Sequence, residues 1–431
     1  MEDWIRAAET FFLIPRNYPE HKEAVPSIFR SAKALEDGKL YQQAGRYYEK
    51  ISEEFPEDKE APGALYTAGL TYENGEFFDD AISVYNKLIS KYGTSEYVAD
   101  AQFSLGIIFG KLNDPKKEAK AYMSYADKYA QNINKQVASY YRAGIAYQKL
   151  KDEAEARKSL MIAAKLYEKY RDKQSLDEAV GAEAHYLLGE MFFKDYMGYK
   201  LEGKNPNQVI KSVEKKAEAM GPVLEHFGLA IESQIQIWVL KATFLCGEVF
   251  VDMAKAVENQ PVFGNKYQQI FARIKTEEGM IDWLDKAAQY YYKNCKFGLE
   301  QGLSHDEWIR KSEDMLMWIQ YRKGMIFVNA GEKIANSPNP YKKGSEEYNV
   351  YQETLDEQRY AAQDKALPMF EAGFKVAEDL FIQSLWNDSI KTQIQLMKPD
   401  SPVMTAVIKE KPKVDVAKKE WVDREYERAT N

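Results

Sequence analysis

Cysteine is almost missing from this chain: there are two in 431 residues, Cys246 and Cys295. Two thiols cannot make a metal site alone, and a disulfide needs Cα atoms within about 7 Å, which sequence does not show. The usual preference of cysteine for interiors predicts buried thiols and leaves their pairing open. Histidine is equally sparse. His21, His185, His226 and His305 are scattered, none in an HExxH arrangement or beside a cysteine, so no metal is predicted. There is no GxGxxG, no GxxxxGKS/T and no GxSxG, hence no motif to cradle a phosphate or raise a nucleophile. Neither a cofactor nor catalysis is predicted. Positive charge is outnumbered, 59 Lys and Arg against 67 Asp and Glu, for a net charge of −8. A general nucleic-acid binder needs a basic face, so nucleic acid is not an expected partner. Long apolar runs are missing too. The richest, WVLKATFLCGEVFVDMAKAV from Trp238, is broken by Lys241, Glu248, Asp252 and Lys255. It falls short of the roughly 18 uninterrupted apolar residues of a membrane span.

What the chain has is apolar side chains at 45%, with 30 Tyr and 20 Phe, enough to fill a folded core. They recur at a fixed period. Five helices are predicted around a small residue, Ala32, Gly69, Gly106, Gly144 and Gly189, at intervals of 37, 37, 38 and 45. Around each, apolar residues fall at helical spacing: Leu65, Ala68 and Tyr72, then Leu105 and Phe109, Ala143 and Tyr147, Leu188 and Phe192. A second amphipathic helix follows each, marked by Ala44 and Tyr48, Ala81 and Tyr85, Ala119, and Ala156 and Leu160. Gly38 and Gly75 lie between the paired helices, where positive φ is expected. In residues 4–19, Ala8 and Phe12 match Ala44 and Tyr48. This reads as the second helix of a repeat that lacks its first, which predicts residues upstream, with room for a lipid anchor there. The lack of a signal-peptide pattern at the first residues then says nothing about compartment.

Self-similarity at this period, with helix–turn–helix units, resembles the tetratricopeptide repeat (TPR). The fold class expected is all-α, a right-handed α-solenoid. The loop between units, as in FPEDKEAP, is about three residues longer than in an ordinary TPR, whose period is about 34. YYEKISEEFPEDKEAPGALYTAGLTYENGEFFDDAISVYNKLISKY is similar to the TPR subtype of bacterial envelope proteins, such as the β-barrel assembly lipoprotein and the TPR protein that works beside Tol–Pal. That resemblance covers residues 20–195. It implies a periplasmic or outer-membrane address and protein partners, and no activity.

Three regions are expected. Residues 1–195 form the regular repeats. Residues 196–397 carry a duplication: GEVFVDMAKAVENQP from Gly247 aligns with GMIFVNAGEKIANSP from Gly324, 77 residues on, and DKAAQYY from Asp285 with DKALPMF from Asp364, 79 on. Two longer helical hairpins follow from this, each with a loop of about 20–25 residues after Pro261 or Pro338. NSPNP and DKALPMFEAGFKVAEDL resemble the C-terminal part of long gliding-motility-type TPR proteins. Residues 398–431, rich in proline and charge, read as an extended tail, mobile or laid along the helices.

One constellation suggests a binding surface. Three positions before each small residue stands an aromatic: Phe29, Tyr66, Phe103, Tyr141 and Tyr186. One position after it come Lys33, Leu70, Ile107, Ile145 and Glu190. In a TPR superhelix the aromatic position faces the concave groove, so the resemblance implies an aromatic ladder, flanked by Leu70, Ile107 and Ile145, that takes an extended or helical partner segment. The competing reading is that these rings pack on the next unit or are covered by the chain's own C-terminal half. The function expected is a non-catalytic scaffold of an envelope assembly. The alternatives are a cytosolic TPR adaptor, or a ligand-binding or enzymatic protein with a pocket near Gly247 or Gly324.

Overall fold

The structure is a computed structural model that describes residues 2–129 and 131–412, Tyr267 without its side chain. The described residues are all-α, with helices in tandem and no strand. The chain divides into two compact units, residues 1–180 and 181–431, each taken by itself below.

The first unit holds α1 (Glu2–Asn17), α2 (Ala24–Asp37), α3 (Tyr41–Glu54), α4 (Ala61–Asn74), α5 (Phe78–Lys91), α6 (Tyr97–Lys111), α7 (Pro115–Lys128), α8 (Ile133–Lys149) and α9 (Glu153–Tyr170). Each packs on the next in chain order, which is how a solenoid buries faces that no repeat could bury alone. Helices α2, α4, α6 and α8 centre on Ala32, Gly69, Gly106 and Gly144. The reason for a small residue is steric. A Cβ on Gly69 would stand 2.2 Å from the Tyr85 ring, one on Gly106 2.6 Å from Tyr122, and one on Gly144 2.7 Å from Leu160. The side chain of the second helix lies in a notch that a methyl group would close.

The turns inside the hairpins correct one expectation. Gly38 and Gly75 keep negative φ, −78° and −93°. The left-handed residue is the next one: Lys39, Glu76, Asn113 and Lys151, with φ of 52° to 61°. The amide that follows then donates back to the carbonyl five residues earlier, Leu40 to Leu35 and Phe77 to Tyr72, both at 2.8 Å. This is a Schellman end, and it needs the left-handed residue after the C-cap. The two glycines answer crowding instead: a Cβ would meet Trp4 at 2.9 Å from Gly38, and the Tyr41 Cβ at 2.7 Å from Gly75.

The second unit takes in α10 (Glu178–Gly198), α11 (Pro206–Glu232), α12 (Gln236–Asn259), α13 (Lys266–Glu278), α14 (Met280–Gln301), α15 (Glu307–Ala335), α16 (Glu346–Asp379) and α17 (Leu385–Met397). The division falls in the first turn of α10, not at 195, because α10 packs forward: Gly189 seats Phe227, and Tyr186 lies 4.8 Å from Trp238, ring to ring. The duplicated hairpins are α12 with α14 and α15 with α16. Gly247 seats Tyr291, and Gly324 seats Phe370 in the same way. The long loops expected after Pro261 and Pro338 are instead largely helical. Asn265 and Gln268 close a capping box that starts α13, and Ser345 caps α16 through the Tyr348 amide. Of the expected tail, residues 413–431 lie outside the described residues. Residues 402–411 run over the second unit, with Val403, Met404, Ala406 and Ile408 against its core.

Three buried polar features of this unit carry consequences. Lys216, 1% exposed, donates to the Tyr199 carbonyl at 2.7 Å and pairs with Asp252 at 2.7 Å, its ammonium over the Tyr196 ring. His185 and His226 face each other Nδ1 to Nδ1 at 3.0 Å, so the accepting ring must be neutral. Burial, offset in part by Glu225, holds His226 below its ordinary value. The unfolded imidazole then takes up a proton that the folded one refuses. The second unit is therefore expected to lose stability as pH falls below about 6.5, the free imidazole value. His226→Gln should flatten that slope in denaturant titrations at pH 7.5 and 5.5. Third, Cys246 and Cys295 are free and buried. Burial pushes the Cys246 thiol up to about 12, and the Cys295 thiol is also pushed well up. Neither should react with a thiol reagent in the native protein at pH 8, and both should react at once in denaturant.

Candidate partner-binding surface

The aromatic row on the first helices begins with residues that are half in and half out. Phe29, Tyr66, Phe103 and Tyr141 are each half-buried. Phe29 lies 5.7 Å from the Tyr48 ring, Tyr66 6.1 Å from Tyr85, and Phe103 5.5 Å from Tyr122, so each rests on the second helix of its own hairpin. The next repeat covers another edge. Tyr97, at the start of α6, stacks on Tyr66 at 5.5 Å. Lys135 of α8 stands over Phe103 while pairing with Asp100 of α6 at 2.5 Å. Tyr141 packs against the buried cluster of Ala126, Tyr140 and Ala163. Burial first, then Asp100 and Glu73, raise the Tyr66 phenol. Tyr66 is therefore a neutral packing group at physiological pH.

What remains at the surface is aliphatic. Leu70 is 39% exposed in the middle of α4, and Ile107 and Ile145 are half-buried at the equivalent places. Together with the half-buried rings of Tyr66, Phe103 and Tyr141 they make an apolar stripe one repeat apart. Tyr186 does not share it. It belongs to the second unit, is 6% exposed, and gives its hydroxyl to Glu190 at 2.7 Å.

Several features are not visible to a reading that treats acidic residues as solvated faces. Tyr48 donates to Glu36 at 3.5 Å, Tyr72 to Glu49 at 2.6 Å, and Tyr85 to Glu73 at 2.6 Å. Burial, then the Glu73 bond, drives the Tyr85 phenol far above its usual range. The available signal was a Glu four residues after the small residue, at Glu36 and Glu73. The loops also form clefts that repeat. One of about 1110 Å³ lies between residues 19–26 and 54–60, and one of about 580 Å³ joins Lys59 and Pro62 to residues 91–97. In the second unit, the space near Gly247 and Gly324 is filled by Tyr291 and Phe370. A cleft of about 630 Å³ in this unit is open and is lined by Tyr292, Lys293 and Lys296 of α14, Leu316 and Gln320 of α15, and Val376 of α16. Among the described residues no three of His, Cys, Asp and Glu are grouped as metal ligands, and no helix is long and apolar enough to cross a membrane.

Residues 64–95, the second helix pair, match the tetratricopeptide repeat family. The described residues thereby define the class as an α-helical tandem-repeat protein, one of whose helix pairs matches a tetratricopeptide repeat. No curated protein matches the chain. Among solved structures it is similar to BtubC from P. vanneervenii, at 15% identity over 51% of this chain and 89% of that one, with a TM-score of 0.32. It is also similar to yeast Tom70, at 11% identity over 88% and 98%, with a TM-score of 0.24. A circular tandem repeat protein gives 10% identity over 99% and 83%, with a TM-score of 0.23. At scores this low the likenesses have no bearing on function.

Proposed function

We propose that this protein is a non-catalytic scaffold of a bacterial envelope assembly, periplasmic or held at the outer membrane. Its first unit would grip an extended or helical segment of a protein partner. The observation that carries the reading is the apolar stripe of Leu70, Ile107 and Ile145 beside the half-buried rings of Tyr66, Phe103 and Tyr141. It is presented at one repeat's spacing along α4, α6 and α8, whereas the other exposed large apolar side chains of these hairpins, Phe77, Leu112 and Leu150, lie at the hairpin turns. Apolar surface recurring in register suits a continuous segment that touches each repeat in turn. The envelope address rests on the subtype pattern in residues 47–92.

The test is affinity capture from native cells with the wild-type chain and with Leu70→Glu/Ile107→Glu. These side chains can change without removing a ring from the packed row. The reading expects specific partners that the double variant loses while its melting curve is kept. Recovery of the same partners by both chains would sink it.

A further inference from the structure

The segment after α17 is held as a ligand is held. From Met404 to Ile408 its residues alternate half-buried and exposed: Met404, Ala406 and Ile408 turn in, Thr405 and Val407 turn out. Met404 closes a single 3-10 turn, Pro402–Met404, and from Ala406 on the segment leaves that turn and lies along the helices without regular structure of its own. Its backbone is gripped by side chains. Lys391 of α17 donates to the Ala406 carbonyl at 2.6 Å, and Gln383 donates to the Ile408 carbonyl at 3.4 Å. At the far end Lys411 pairs with Glu313 of α15. Ser401 and Lys398 fix the near end on Glu371 of α16. The segment does not fill its bed. A cleft of about 490 Å³ remains along Ala406, Val407 and Ile408, floored by Phe374 and walled by Leu385, Asp388 and Lys391.

We propose that this bed is a peptide-binding groove occupied in cis. Its partner in trans is a protein segment of the same pattern, a tight turn leading into a short run with apolar side chains at three alternate positions and a Lys or Arg three residues after the last. Two features argue for this occupant. The anchors are directed at main-chain carbonyls and one cation, which any segment of that pattern supplies. The unfilled space beside the small Ala406 side chain favours a competitor with a larger residue there. A tethered ligand has an effective concentration on the order of millimolar, so the chain's own segment gates entry. The groove lies wholly in the second unit, so this inference is independent of the stripe on α4, α6 and α8.

The experiment uses the full chain and a fluorescent dodecamer of residues 401–412. Lys411→Glu loosens the tethered segment without touching its apolar anchors. The peptide should bind that chain at least about tenfold more tightly than wild type, because competition in cis is weakened. A peptide with Leu in place of Ala406 should bind tighter still. Glu313→Lys should abolish binding of the native peptide, and a peptide carrying Glu in place of Lys411 should restore it. Equal affinity for wild type and Lys411→Glu would overturn the proposal. So would indifference to Glu313→Lys in a chain that melts like wild type, or a segment-swapped dimer forming in place of peptide binding.

Discussion

Lys216→Met is expected to lower the stability of the second unit by about 3–5 kcal/mol, since it strips one partner from a buried ion pair. The ammonium is 1% exposed and does three things at once. It neutralises Asp252, satisfies the Tyr196 and Tyr199 carbonyls at the end of α10, and sits over the Tyr196 ring. Without it, Asp252 is left three-quarters buried beside carbonyls that repel it. The double variant Lys216→Met/Asp252→Leu removes both charges and should recover most of the loss, because the apolar pair needs no partner. Denaturant unfolding of the three chains measures it. A double variant no better than Lys216→Met would mean that the carbonyl bonds, not the uncompensated charge, dominate.

Tyr85→Ala is expected to cost about 3–5 kcal/mol, the range for deleting a fully buried ring. The ring fills the notch at Gly69 and its hydroxyl reaches Glu73. Gly69→Ala alone should cost about 1–3 kcal/mol by overpacking, although alanine is the better helix former by about 1 kcal/mol. Combined with Tyr85→Ala, the same change should become neutral or stabilising, since the notch is then empty. Strong non-additivity in this cycle is the signature of a seated ring. Simple additivity would show that the glycine serves something else.

The glycine period could be read from sequence because its cause is local. One small residue per first helix faces one large residue about 16 positions on, as at Gly69 with Tyr85 and Gly106 with Tyr122. Lys216 was hidden in the charged run EKKAE, yet it stands in register with Val209, Val213, Met220, Val223 and Phe227, all at least half-buried. A lysine inside an apolar stripe was the signal. Helix α13 was missed because its interior pattern is weak and its start depends on two side chains, Asn265 and Gln268, bonding each other's backbone. Of the candidate surface, the spacing of the ladder is a one-dimensional property and was readable. How much of each ring is covered depends on Tyr97 and Lys135 of the next repeat, contacts between repeats that spacing alone does not specify.

Site-specific photo-crosslinking in native cells tests the scaffold reading most directly. A photoreactive residue is placed at Leu70, at Ile107, and at exposed Ser83 on the second helix α5 as the control. Adducts to the same partner from positions 70 and 107, and none from 83, are the predicted result. Adducts from 83 alone, or the same adducts from all three, would contradict it.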